Sequence, residues 1–262
     1  MLRKFLWLTT AFVLFVVSTS WAQSRPEQIP VDTFASLDGF TGARLSPNGQ
    51  HLAYLYPLKG RYNLIVHELA SGKNIKVIPP IDKLDFRWLR WANDSVIVFS
   101  MSYTAARFTT ETTETRLISF NIEDDALTPL VKPAAKTGRT GSRTAKEYYA
   151  EAQIQDRVLD WMVDDPRHIL VSLDEDFDAA FEIRKIDVFT GDYSTYRKST
   201  QGIQSWVLDR AGDARLGYGY KKGKFWALLR AEDGEWITLT KTDWYEYWLC
   251  LLYTSPSPRD ED

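Results

Sequence analysis

Arg44-Leu45-Ser46-Pro47-Asn48-Gly49-Gln50-His51-Leu52-Ala53-Tyr54-Leu55 is the stretch that decides the fold of this 262-residue chain. A short apolar lead-in meets Ser-Pro-Asn-Gly, and a run of apolar and aromatic residues follows. Pro47 presets a negative φ, while Asn48 and Gly49 tolerate the left-handed backbone that a tight turn needs. The stretch therefore reads as strand, hairpin turn, strand.

The same grammar returns three times. Phe86-Arg87-Trp88-Leu89-Arg90-Trp91 turns at Ala92-Asn93-Asp94 into Ser95-Val96-Ile97-Val98-Phe99-Ser100. Val158-Leu159-Asp160-Trp161-Met162 turns at Val163-Asp164-Asp165-Pro166 into His168–Leu173, and Ile203–Leu208 turns at Asp209-Arg210-Ala211-Gly212 into Ala214–Tyr220. Each copy is followed by a second hairpin, turning at Ser71-Gly72, Glu123-Asp124-Asp125, Thr190-Gly191 and Asp233-Gly234. Four strands recurring at a spacing of roughly 40–50 residues predict the blades of a β-propeller. A β-sandwich would also give evenly spaced strands, but it does not require repeating four-strand units. The expected fold is all-β, a partial β-propeller of about four blades at residues 40–80, 84–132, 156–198 and 202–241.

Ahead of the blades, Met1 to Ala22 has the layout of a secretory signal peptide. Arg3 and Lys4 form the charged start, Phe5 to Val17 is apolar except for Thr9 and Thr10, and Ser20-Trp21-Ala22 suits cleavage before Gln23. The apolar run is short for a retained anchor, which needs about 20 residues. A periplasmic or secreted protein with no membrane span after cleavage is the expectation. Net charge is −3, and losing Arg3 and Lys4 with the leader makes the mature chain more acidic, which argues against nucleic-acid binding. Cys250 is the single cysteine, so the fold must rest on its apolar core. Ten Trp and an aromatic content of 14% suit sheets packed face to face.

Residues 133–153 interrupt the rhythm with an insert. Lys132, Lys136, Arg139, Arg143 and Lys146 precede its first acid, Glu147, which reads as a solvated, mobile connector rather than a loop steering acidic ligands. Asp174-Glu175-Asp176-Phe177-Asp178 lacks the glycine and the distant glutamate of a calcium loop and reads as a solvated acidic loop. His51, His67 and His168 lie in strand-like runs, none with a second histidine at metal-ligand spacing, and each reads as structural. The chain has no Gly-x-Ser-x-Gly elbow, no phosphate loop and no dinucleotide fingerprint after a strand. No catalytic, cofactor-binding or metal-binding residue is assigned, and no cofactor is expected. Arg107, Glu111 and Glu114, placed in a loop between strands, are candidates to line a central cavity.

Ile29-Pro30-Val31-Asp32-Thr33-Phe34, then Ala43–Tyr54, then Trp88-Leu89-Arg90-Trp91-Ala92-Asn93-Asp94 resemble the amino-terminal part of bacterial prolyl oligopeptidase-family serine peptidases. The resemblance runs over about residues 27–248. It implies a propeller that filters peptides into a buried cavity, ahead of an α/β-hydrolase domain that carries the serine, aspartate and histidine. None of those catalytic positions lies in this stretch, so the expected function is a substrate-gating propeller portion, inactive by itself. Its partner would be a peptide substrate, met through the missing catalytic domain. The dipeptidyl-peptidase branch uses a Glu-Glu pair in its propeller, which this sequence lacks. Ser-Pro-Asp-Gly turns also occur in TolB-like propellers, so a periplasmic binding propeller that recruits proteins is the second reading.

Trp244-Tyr245-Glu246-Tyr247-Trp248 reads like the start of a fifth repeat. The stretch from Cys250 to Asp262 breaks the pattern and resembles a translated sequencing adapter, foreign to the natural protein. A disordered C-terminus with Pro256 and Pro258 as breakers is the rival. Four blades of a larger ring would leave two apolar blade faces bare and the chain prone to aggregate.

Overall fold

The computed structural model describes residues 39–107, 110–132, 134–136, 148–150, 152–174, 180–198, 200 and 202–243. The leader, the 250–262 tail and Glu175–Asp178 of the acidic run lie outside them. Over the described residues the protein is all-β, a partial β-propeller of four antiparallel four-stranded sheets, each with its strands in sequential order. The first blade is β1 (Thr41–Leu45), β2 (His51–Leu58), β3 (Arg61–Glu68) and β4 (Lys73–Ile78). The second is β5 (Asp85–Trp91), β6 (Val96–Arg107), β7 (Thr110–Asn121) and β8 (Leu127–Pro129). Residues Ala134–Lys136 (β9) and Tyr148–Ala150 (β10) pair as a two-stranded ribbon, so the insert read as a connector carries structure of its own. The third blade is β11 (Val158–Asp160), β12 (His168–Leu173), β13 (Glu182–Asp187) and β14 (Tyr193–Arg197). The fourth is β15 (Ser205–Leu208), β16 (Ala214–Lys221), β17 (Lys224–Arg230) and β18 (Trp236–Asp243).

Strand periodicity explains how the blades stack. In β6, Ile97, Phe99 and Met101 join Ala53, Leu55, Leu64 and Val66 of the first blade in one buried cluster. Their neighbours Val96 and Val98 join Ile169, Val171 and Leu173 of the third blade in another. Successive side chains point to opposite faces, so a sheet buried on both sides reads as the unbroken apolar run seen in the sequence. Leu170 and Ile183 then meet Ile203, Trp206 and Ala214 of the fourth blade. Each junction between consecutive blades thus has a core, and among the described residues none joins the fourth blade to the first.

The bare faces follow. On the first blade Phe40, Tyr56 and Val77 are exposed, and on the fourth Val207, Tyr220, Ile237 and Leu239 are exposed.

The turns between the first two strands of each blade knit neighbours together. Asp94 Oδ1 accepts from the Asn48 amide at 2.8 Å, and Asn93 Nδ2 donates to the Pro166 carbonyl at 2.8 Å. Two hairpins use turn chemistry that the repeat grammar did not flag: Lys59-Gly60 and Lys222-Gly223 both have positive φ at both residues. That is the type I′ geometry that matches strand twist. Where the chain crowds, glycine is required. A Cβ on Gly219 would stand 2.2 Å from the Gly202 carbonyl oxygen, and one on Gly191 would stand 2.5 Å from that of Pro129.

Two expectations need correction. The loop expected around Arg107, Glu111 and Glu114 is strand: β6 and β7 pair through to Arg107↔Thr110. The threonine-rich run Thr110-Glu111-Thr112-Thr113-Glu114-Thr115 favours extended backbone, which lengthens the hairpin. Conversely β11 stops at Asp160, short of the expected Met162, whose φ of 45° is left-handed.

Candidate functional site

In each sheet the first strand is an edge, and first strands of neighbouring blades approach one another, β1 to β5 and β11 to β15. Side chains near these edges converge at the inner end of the blades. The cleft they leave there is about 520 Å³, lined by Arg44 of β1, by Trp88 and Arg90 of β5, and by Asp156 and Trp161 beside β11. A second, between the third and fourth blades, is about 370 Å³ and includes Arg157, Gln204 and Tyr218.

Local sequence sets the first cleft. The Trp91 indole donates to the Arg44 carbonyl at 3.0 Å, which ties β1 to β5 and holds Arg44 beside Arg90. Leu89 and Trp91 are buried, so the residue between them, Arg90, is turned outward and is exposed. Its guanidinium lies 4.6 Å from the centre of the Trp161 ring, a cation–π contact. Trp161 in turn meets Trp88 edge to face at 6.2 Å. Burial first, and then the positive charge of Arg44, lowers the pKa of Arg90, with Asp160 acting in the opposite direction.

Asp156 is the acid of this cleft, and its role is to join blades. Ser100 Oγ donates to it at 2.7 Å, Thr115 Oγ1 at 3.0 Å and the Trp88 indole at 3.3 Å. Arg87 approaches at 3.4 Å, and the Asp156 side chain is only 9% exposed. Three strands of the second blade thus fasten to the lead-in of the third.

The residues singled out in the sequence lie elsewhere. His51 stacks on Trp91 at 6.1 Å, His67 Nδ1 contacts Asn74 at 2.8 Å and His168 Nδ1 contacts Asp165 at 3.0 Å. They belong to β2, β3 and β12, and these contacts are structural. Glu114 accepts from Tyr103 and from Arg116, each at 3.0 Å, within a buried cluster. Glu111 is exposed on β7, and Asp174 is the one described member of the acidic run. The repeat reading passed over Arg44, Arg90, Asp156 and Trp161. The signal for one of them was present: in Trp88-Leu89-Arg90-Trp91, Arg90 sits between two buried residues of β5 and so must face the other way.

No known family's sequence model matches the chain, and no curated protein sequence matches it. Solved structures that align with it include a dipeptidyl peptidase 4 from Porphyromonas gingivalis, at 11% identity and TM-score 0.46 over 79% of this chain and 33% of that one. An acylaminoacyl peptidase aligns at 12% identity and TM-score 0.42, over 78% of this chain and 32% of that one. An oligogalacturonate lyase from Vibrio parahaemolyticus aligns at 11% identity and TM-score 0.31, over 79% of this chain and 67% of that one. The chain spans about a third of each peptidase.

Proposed function

We propose that this chain is the substrate-gating propeller portion of an exported serine peptidase of the prolyl oligopeptidase type. In that reading hydrolysis belongs to an α/β-hydrolase segment outside these residues, and the blades admit peptides by size and by contact along their inner ends. The observation that carries it is the succession of four-stranded blades whose converging first strands leave a cleft of about 520 Å³ between aromatic and charged side chains. The sequence phrases at Ile29–Phe34, Ala43–Tyr54 and Trp88–Asp94 supply the peptidase part of the reading.

Reading the source gene past the codon for Leu249 tests it. The expected result is a frame running through further blades to a Gly-x-Ser-x-Gly elbow, with an aspartate and a histidine after it. A frame that ends, or that adds only blades, removes the peptidase reading and leaves a TolB-like binding propeller. Export is checked separately: the periplasmic or secreted protein should begin at Gln23.

A further inference from the structure

We propose that the cleft at the inner ends of the first three blades is a carboxylate-binding site. Arg44 and Arg90 grip the anionic group, and the Trp88 and Trp161 indoles flank the apolar part of the ligand. Charge pairing across the protein points there. Arg61, Arg87, Arg116, Arg167, Arg184 and Arg215 each lie beside an Asp or Glu carboxylate. Among the described residues Arg44, Arg90, Arg157, Arg197 and Arg210 are without such a partner, and of these Arg44 and Arg90 come together in one cleft. The Arg44 side chain donates to the carbonyl of its own neighbour, Ala43, at 2.8 Å, and Arg90 rests on the Trp161 ring. Both guanidinium groups nevertheless line the same cleft.

The acids nearby are engaged elsewhere and offset the two charges only in part. Asp156 spends both oxygens on Ser100, Thr115 and Trp88, and its cation is Arg87. Asp160 Oδ1 accepts from the Met162 amide at 2.6 Å, and its charge offsets that of Arg90 by less than burial and Arg44 oppose it. Burial first, and then repulsion between the two like charges, disfavours the charged form of Arg90 in this cleft. An incoming carboxylate relieves the repulsion, and guanidinium forks hold carboxylates through paired, charge-assisted hydrogen bonds. The indoles favour a ligand with an apolar or aromatic group next to its acid.

The site stands on this geometry. That its ligand is a peptide rests on the peptidase-gating reading. The carboxylate could then be a C-terminus or an acidic side chain, and three probes separate them: N-acetyl-Phe-Ala, its C-terminal amide, and N-acetyl-Asp-Phe-amide. Titration of the full chain, followed by tryptophan fluorescence, should show saturable binding for at least one acid probe and none for N-acetyl-Phe-Ala-amide. Because Arg44 and Arg90 are exposed, Arg44→Gln and Arg90→Gln should fold as the parent does and bind roughly 10-fold more weakly each. Arg90→Lys, which keeps the charge but loses the fork, should fall between. Added salt should weaken binding. Equal binding of acid and amide, no binding of either acid up to millimolar concentration, or full affinity in both Gln variants would overturn the proposal. If the acids bind but the gene encodes no serine elbow, the site survives and the peptidase reading does not.

Discussion

Replacing Asp156 by alanine removes one carboxylate and unpairs two blades. Ser100 and Thr115, both fully buried, donate their hydroxyls to it at 2.7 Å and 3.0 Å. A buried polar group left without its partner costs about 1–3 kcal/mol. Thr115 Oγ1 would keep the hydrogen bond it accepts from the Gln155 amide at 2.8 Å, which trims its share. Arg87 is exposed and can turn to water. The expected loss for Asp156→Ala is about 3 kcal/mol, or about 10 °C in Tm for a protein of this size. Asp156→Asn keeps the shape and one acceptor oxygen, and should lose about half as much. Asp94→Ala is the control: it removes an inter-blade bond of the same kind, from Asn48 at 2.8 Å, at an exposed turn. It should lose no more than about 1 kcal/mol. Urea denaturation followed by tryptophan fluorescence measures all three, with the slope unchanged if only stability moves. An Asp156→Ala protein within about 0.5 kcal/mol of the parent would refute the claim that this carboxylate fastens the second blade to the third.

Gly219→Ala places a Cβ 2.2 Å from the Gly202 carbonyl oxygen and 2.7 Å from the Gln204 amide nitrogen. Both obstacles are backbone, so the fourth blade must shift, and a loss of about 2–3 kcal/mol in the same denaturation assay is expected. Lys185 first, and then His168, pull the Asp165 pKa down from 3.8 to about 2. A depressed folded-state pKa means that the gain is present above the unfolded value and is lost as the pH falls through the folded one. Stability should therefore drop between pH values of about 4 and 2, more steeply in the parent than in Asp165→Asn. Ile237→Lys with Leu239→Glu, on the bare face of the fourth blade, should reduce self-association in sedimentation velocity without lowering stability. Unchanged association would clear that face of responsibility.

The blade count was legible because a four-stranded meander is a local object. Ser46–Gly49, Ala92–Asp94, Val163–Pro166 and Asp209–Gly212 each carry turn chemistry, and the apolar runs beside them have strand length. Hairpin pairing between neighbours in the chain needs nothing more. Strand ends were less legible: β7 begins at Thr110 rather than Glu114, because cross-strand pairing with β6 continues past the apolar run. The two Lys-Gly turns escaped because lysine gives no hint of the left-handed backbone it adopts at 53° and 51°.

The cleft is the opposite case. Arg44 and Arg90 are 46 residues apart in the chain, and Asp156 lies further on still. What brings them together is blade stacking: the Trp91 bond to the Arg44 carbonyl, the three hydrogen bonds and the Arg87 ion pair on Asp156, and the convergence of first strands. By itself the sequence determined strands, turns and repeats, since these follow from alternation and backbone preference over a few residues. Only the tertiary structure decided which arginines are paired and which face an open cleft. A charge's partner is a matter of distance in space, and spacing along the chain does not encode it.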